Sequence, residues 1–301
     1  MKFIIDENNE GQRIDLFLAE TDSQLSRSKI QNEIKKGKCK INGNSTKSSY
    51  ILRQGDIIEF DYSPKETLTI QGESIPLDIV WEDENMAVIN KPSGMLTHPT
   101  TIETTGTLVN ALLHKYPNNL SDLNGDMRKG IVHRLDRNTS GLIMIAKNNK
   151  THEFLVNEMK EKNFNKKYLA IVKGVLEQDE FEIDLPIGRH QTQPHKQCVR
   201  DDGKASLTKV KVIERLNNAT FIELTLVTGR THQIRVHLSS IGHPVYNDTL
   251  YGFGKTKIKT EEQVLQSYKL EFTKPFSNER ISVEIPIDEK IEKVLKFCRQ
   301  I

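Results

Sequence analysis

The chain has 301 residues, of which 36% are hydrophobic, and its 43 lysines and arginines against 41 acids leave a net charge of +2. That length allows one large domain and one small one, each with its own core. No apolar run approaches the ~18 residues of a membrane-spanning helix, and Phe3-Ile4-Ile5 is too short for a secretion-signal core, so a cytoplasmic protein without membrane contact is expected. Cys39, Cys198 and Cys298 are odd in number and far apart, which fits neither a disulfide framework nor a CxxC-type metal site. A near-neutral total charge does not point to a nucleic-acid partner, so local asymmetry must carry that argument.

Ile14, Phe17 and Leu18 predict a short amphipathic helix near the start. Between residues 27 and 53 stand eight basic residues (Arg27, Lys29, Lys35, Lys36, Lys38, Lys40, Lys47 and Arg53) and one acid, Glu33, a local charge of +7. Within that stretch Ser26 is the expected N-cap, Ile30 and Ile34 lie one helical turn apart, and Gly37 suits the position after the helix. A hairpin should follow, with a strand over 38–41, Asn42-Gly43 as its two-residue turn, and a later strand over 57–60. A basic run is ordinarily a solvated face. Here the near-absence of counter-charge favours phosphate contacts, which position a protein on nucleic acid without reading its sequence.

Residues 63–75 are polar, carry a Pro and a Gly, lack an apolar period and read as a linker. Beyond Pro76 the pattern predicts a strand over 86–89, a helix over 107–116, a buried strand over 142–146 and a helix over 149–162. Strands over 168–172, 181–185, 208–213 and 221–227 then follow with little room for crossover helices, before a closing helix over 288–299. This is an α+β domain with a mixed, mostly antiparallel sheet.

Three segments could carry chemistry. In His133-Arg134-Leu135-Asp136-Arg137-Asn138-Thr139-Ser140-Gly141 the only acid, Asp136, stands among two arginines and a histidine. Such a carboxylate is able to act as a nucleophile or a charge stabiliser, although an ordinary surface ion pair with Arg134 or Arg137 is the plainer reading. The Asn-Thr-Ser-Gly tail reads as a turn. Gly229-Arg230-Thr231-His232-Gln233-Ile234-Arg235-Val236-His237 opens a helix with Thr231 as its expected N-cap; Ile234, Leu238 and Ile241 face the core, and Arg235 shares another face with His232 and Ser239. Tyr168 begins a strand, where a tyrosine is ordinarily core packing. His133, His232, His237 and His243 do not form a metal set, because His232 and His237 fall on different helix faces and no Cys or Glu completes it. Ser140, His133 and Asp136 crowd too closely for a hydrolytic triad.

The string HRLDxxTSG at 133–141 closely resembles the signature of the RluA-type pseudouridine synthases. RTHQIRVH at 230–237 resembles the third motif of that family, Lys167-Tyr168-Leu169-Ala170 its tyrosine segment, and Asn90-Lys91-Pro92-Ser93-Gly94 with His98-Pro99 the segment after its first strand, to which only a shaping role is assigned. Upstream, RIDLFLAE…LSRSKIQNEIKKGKCKING…GDIIEF, roughly residues 11–62, resembles the small RNA-binding domain named after ribosomal small-subunit protein four. One position departs from the family's GDxxYG: in Tyr246-Asn247-Asp248-Thr249-Leu250-Tyr251-Gly252, Asn247 replaces a glycine, and asparagine tolerates left-handed backbone angles.

The resemblance implies a pseudouridine synthase fold with flanking helices and a central cleft over 76–301, preceded by a small α/β RNA-binding domain over 1–62 and the linker at 63–75. It implies an isomerase that needs no cofactor or metal. In it Asp136 is the nucleophile, attacking either the anomeric carbon of the sugar or ring carbon six of uracil; Arg235 pairs with Asp136, and Tyr168 packs against the target base and offers its hydroxyl for proton transfer. Arg134 would fill the gap left by an extruded nucleotide, and Arg137 with Arg27, Lys29, Lys35, Lys36, Lys38 and Lys40 would face RNA. Large-subunit ribosomal RNA is the expected partner, with transfer RNA as the other choice, and a monomer is expected. The rival readings are an RNA-binding ribosome-assembly factor with secondary or absent catalysis, and a free-nucleoside glycosidase, which has no use for residues 27–53.

Overall fold

The computed structural model describes residues 1–21, 25, 27–62, 69–252, 258 and 263–300. The chain divides into two units, Met1–Leu68 and Thr69–Ile301. Ser26, the expected N-cap, and residues 63–68 of the expected linker lie outside the described residues.

In the first unit the chain forms β1 (Lys2–Ile4), α1 (Ile14–Thr21), α2 (Arg27–Lys35), β2 (Cys39–Ile41), β3 (Asn44–Ser45) and β4 (Ile57–Phe60). The strands make an antiparallel sheet in the order β1-β4-β2-β3. Ile14 and Leu18 of α1 and Ile30 and Ile34 of α2 pack with Cys39, Ile41, Ile58 and Phe60 in one core. Asn42 and Gly43 have φ of 50° and 80°, the pair of left-handed residues that a tight hairpin between right-twisted strands requires. β1, not anticipated from the sequence, is three residues long and owes its form to pairing with β4 rather than to a pattern of its own.

The second unit contains β5 (Asp78–Glu82), β6 (Met86–Lys91), α3 (Leu108–Lys115), β7 (Ser140–Ala146), α4 (Asn149–Lys160), β8 (Asn165–Lys173), β9 (Glu180–Asp184) and the short pair β10 (Ile187–Arg189) and β11 (Gln197–Val199). There follow β12 (Leu207–Leu216), β13 (Ala219–Leu226), α5 (Gln233–Ser240), β14 (Leu265–Thr273), β15 (Arg280–Glu284) and α6 (Glu289–Gln300). Its main sheet runs β5-β6-β7-β14-β8-β13-β12-β9, with β15 also on β14. Among the described residues every pairing in it is antiparallel except β7 with β14.

Alternation along the strands feeds two faces. Ala87, Ile89, Ile143, Ile145, Ala170 and Val172 join a core with α3 and α5. Their neighbours Met86, Val88, Leu142 and Met144 pack with Leu155 of α4, while Leu169 and Ile171 pack with Ile291, Val294 and Leu295 of α6. Burial on both sides explains why β6 and β7 read as near-continuous apolar runs. The α+β architecture is the one expected.

Three local expectations are corrected. The second half of the segment read as linker is packed: Ile70 joins the core, the buried Asn110 side chain donates to Gln71 O (2.9 Å), and the Glu73 carboxylate accepts from Gly106 N–H (3.1 Å). Its polar composition conceals one apolar anchor and, in Gln71 O, one of the acceptors of a buried amide. Ser140 and Gly141, read as the end of a turn, instead begin β7; the turn is tighter, closed by Thr139 N–H on Asp136 O at 3.1 Å. Thr231 does not cap α5: the N-cap position falls on His232, in a left-handed conformation (φ 58°) and without a side-chain cap, while the Gln233 side chain ties the preceding turn by accepting from Arg230 N–H (3.0 Å) and the Thr228 hydroxyl (2.8 Å). β5, β14 and β15 were not anticipated either; β14 breaks its apolar run with Gln266, Ser267 and Lys269.

Candidate active site

Asp136 stands on the loop that leads into β7, and the backbone of that loop is held from outside at successive residues. The Thr97 hydroxyl donates to Leu135 O at 2.8 Å and accepts from Leu135 N–H at 3.3 Å. The ammonium of Lys91, fully buried at the end of β6, donates to Arg137 O at 3.0 Å as well as to Pro92 O and Met95 O. Asn138 O accepts from the Ser93 hydroxyl at 2.8 Å and from the Lys290 ammonium at 3.1 Å. The 91–97 segment is thus a template for the loop carrying Asp136. Gly141 completes it: at φ +107° its Cα lies so near β14 that a Cβ would fall 2.1 Å from Ser267 O.

α5 supplies the partner. Arg235 Nη1 lies 3.1 Å from Asp136 Oδ2, the pairing across ninety-nine residues that the motif implies. The other side of the guanidinium grips Asp248, through Nε to Oδ2 at 2.7 Å and Nη2 to Oδ1 at 3.0 Å. Asp248 is itself fixed by Leu250 N–H and Tyr251 N–H, at 2.9 and 3.0 Å. Burial works against the charge on Arg235, but the hydrogen bonds and charges of Asp248, and then Asp136, outweigh it and raise its pKa. Burial likewise opposes ionisation of Asp248, and Arg235 overcomes it, so that pKa is lowered. The guanidinium carbon lies 5.0 Å from the centre of the Tyr251 ring. Tyr251 Oη accepts from Gln197 N–H (2.8 Å) and contacts His232 Nδ1 (2.8 Å), and His232 Nε2 stands 3.9 Å from Asp136 Oδ1. Burial holds the His232 pKa below its ordinary value, against the pull of Asp136.

Tyr168 enters from β8 and is 5% exposed. Burial drives its hydroxyl pKa far up, partly offset by Ser267 and reinforced by the charge of Asp136, so the phenol stays protonated at neutral pH. A small cavity of about 50 Å³ is lined by Asp136, Tyr168, Arg235, Arg134, His232 and Leu226 among others. A larger one of about 550 Å³ shares Asp136, Tyr168 and Arg134 with it. Asp136 is thus paired with a buried arginine and, together with Tyr168, lines both cavities.

The structure brings together Asp136, Tyr168, Arg235 and Arg134. Arg134 is exposed and lines both cavities; Arg137 is drawn aside into an exposed ion pair with Glu103. His133 turns inward, where Nε2 accepts from Met144 N–H at 3.0 Å, and burial pushes its pKa down to about 3, so it is neutral and structural. His237 is likewise taken up, by Thr208 and Leu185 O, both at 2.9 Å. Among the described residues no three His, Cys, Asp or Glu side chains cluster to hold a metal. Sequence reasoning missed Asp248 and Tyr251, although both stand in the stretch examined for Asn247, and it gave Lys91 and Thr97 no individual role. Asn247 does adopt φ +59°, the left-handed angle expected of a glycine substitute there.

In the first unit Arg27 turns to the buried Asp15 at 3.0 Å, and Lys36 and Lys38 both reach Glu33, at 2.7 and 3.1 Å. Lys29 lies 5.3 Å from the centre of the Tyr62 ring, and Lys35 and Lys40 are exposed. The basic run is therefore less bare than its sequence, since Asp15, outside the window, and Glu33 answer three of its charges.

A family model described as RNA pseudouridylate synthase matches residues 85–240, and one described as S4 domain matches residues 12–58. The chain is 41% identical over 294 residues to an uncharacterized RNA pseudouridine synthase, YlyB, of Bacillus subtilis, covering 98% of this chain and 96% of that protein. It is 35% identical over 304 residues to the ribosomal large subunit pseudouridine synthase D of Vibrio parahaemolyticus, covering 96% and 92%. Among solved structures it is similar to human RNA Pseudouridylate Synthase Domain Containing 1, with a TM-score of 0.58 and 25% identity over 76% of this chain and 97% of that one.

Proposed function

We propose that this chain, which belongs to the RNA pseudouridylate synthase family and is an isomerase, converts specific uridines of large-subunit ribosomal RNA to pseudouridine with Asp136 as its nucleophile. The observation that carries this reading is the Asp136–Arg235 pair at 3.1 Å beside Tyr168, on the wall of a cavity. In the reaction the bond from the anomeric carbon to ring N1 breaks and one from the same carbon to ring carbon five forms. The hydrogen of carbon five is given up and N1 gains one, so nothing is oxidised and no redox cofactor is called for. Asp136 attacks the anomeric carbon or ring carbon six; Arg235 pairs with it and holds it aligned, and Tyr168 packs against the ring as it turns.

The ribosomal target is supported by the similarity to the ribosomal large subunit pseudouridine synthase D of Vibrio parahaemolyticus. Because the target atoms of a stacked nucleotide are hidden, the uridine must be extruded, at a cost of about a few kcal/mol, and Arg134, exposed and lining the cavity, fills the gap in this reading. The first unit serves as an anchor on RNA through Lys35, Lys40 and their neighbours. A transcriptome-wide pseudouridine map of a strain lacking the gene, against its parent, tests the reading. Loss of one or a few pseudouridines in large-subunit ribosomal RNA is expected; loss confined to transfer RNA would reassign the substrate, and an unchanged map would contradict the activity.

A further inference from the structure

One largely buried cation on the wall of the larger cavity has no role in the chemistry above. Lys166 lies on β8 two residues before Tyr168, so both side chains leave the same face of the strand. It is 9% exposed, and among the described residues no carboxylate pairs with it. Its ammonium stands 5.9 Å from the centre of the Phe164 ring. A Cβ at residue 229 would come within 3.3 Å of Nζ, so Gly229 keeps the following turn clear of it. Burial lowers its pKa to about 8, still on the charged side of neutrality.

The cavity of about 550 Å³ that Lys166 lines is also lined by Arg134, Lys160, Lys162 and Arg230, against the single carboxylate Asp136. Lys166 does not reach the small cavity between Asp136, Tyr168 and Arg235. The Lys166 side chain is mostly buried and lines this cavity, where the surrounding charge is predominantly positive, so a bound anion would supply the missing counter-charge. Uracil and ribose are neutral, and the anions a polynucleotide brings to this site are its phosphodiesters. Resting on the functional reading above, we propose that Lys166 binds a phosphodiester adjoining the target uridine, within the larger cavity and with Arg230 at its rim. The site thereby requires a polynucleotide: free uridine presents the base to Asp136 but leaves the ammonium unanswered.

The test uses the full chain and RNA labelled with [5-³H]uridine, prepared from a strain lacking the gene. Isomerisation releases the tritium of carbon five, so KM and kcat are read directly. Lys166→Met removes the charge and keeps an unbranched side chain one atom shorter, so it should fold. It should raise KM about tenfold with kcat within about threefold, and it should reduce the dependence of log KM on log salt by about one unit. Lys166→Arg keeps the charge and should hold KM within about threefold of the parent. If circular dichroism shows Lys166→Met unfolded, Lys166→Gln carries the same expectation. A fall in kcat with KM and salt dependence unchanged would overturn the proposal in favour of a charge acting on the base; unchanged kinetics would overturn it outright. A parent protein that releases no tritium would instead sink the functional reading on which the proposal rests.

Discussion

Arg235 meets Asp248 through two parallel hydrogen bonds, at 2.7 and 3.0 Å, and leaves one nitrogen for Asp136. A guanidinium clamped on its far side cannot swing, so the geometry offered to Asp136 is set by Asp248. Asp248→Asn keeps the shape but gives up the second acceptor and the charge. It should lower kcat about 10- to 100-fold with little change in RNA affinity, because misplacement of a catalytic group by about 1 Å costs on that order. Single-turnover kinetics at saturating RNA check it.

Thr97 is the sole side chain bonded to both backbone groups of Leu135 in the described structure. Thr97→Val preserves volume and strands the N–H and C=O of a residue that is 3% exposed. Destabilisation of about 3 kcal/mol is expected from chemical denaturation, at about 1–3 kcal/mol for each buried group left unpaired. The loosened loop should also lower kcat.

Gly141→Ala would place a Cβ 2.1 Å from the Ser267 carbonyl oxygen, in a backbone conformation that already disfavours a side chain. Because that oxygen belongs to β14, relief requires separating the parallel pair β7 and β14. A loss above about 3 kcal/mol, or failure to fold, is expected from the same denaturation measurement.

Acid should destabilise the chain earlier than its carboxylates alone would. His98, His133, His152, His232 and His237 all have pKa values lowered by burial, and His133 falls to about 3. An unfolded histidine titrates near ~6.5 and so takes up protons that the folded state refuses. The stabilisation is complete above about pH 6.5 and is lost progressively as pH falls toward the folded values. Melting temperatures from pH 7 to 4.5 should decline, and His133→Asn, less stable at neutrality, should decline less steeply. Equal slopes for the two proteins would contradict the assignment.

Chemistry was more legible in the sequence than context was. Asp136 and Arg235 were singled out by the resemblance of their two segments to family motifs, since their residues alone also fit a surface ion pair and a plain amphipathic helix; the fold brings the two within 3.1 Å. Asp248 and Tyr251 were not recognised because one acid and one aromatic in a loop look like ordinary surface residues until Arg235 is seen between them. Hairpin and helix positions followed from Asn42-Gly43 and from Ile30 with Ile34, where the local chemistry decides the form. β1 and β14 were missed because their neighbours impose the strand, through β4 in one case and through β7 and β8 in the other. Likewise the basic run suggested an open charged face, whereas Arg27 is answered by an acid twelve residues upstream.

That residual basic surface makes its own prediction. Lys35→Ala with Lys40→Ala should weaken RNA binding about equally for different RNAs and reduce the slope of log affinity against log salt by about one to two, without changing kcat at saturation. Filter binding over a salt series reads this, and an unaltered slope would remove the two lysines from the interface.

Asp136→Asn decides whether Asp136 is the nucleophile. Its nearest partners, Arg235 and His232, remain in place, and its melting temperature and RNA affinity should stay close to those of the parent. Tritium release from [5-³H]uridine-labelled RNA should fall by about 10⁴-fold or more. Release within about tenfold of the parent rate, from a folded Asp136→Asn protein, would contradict the account.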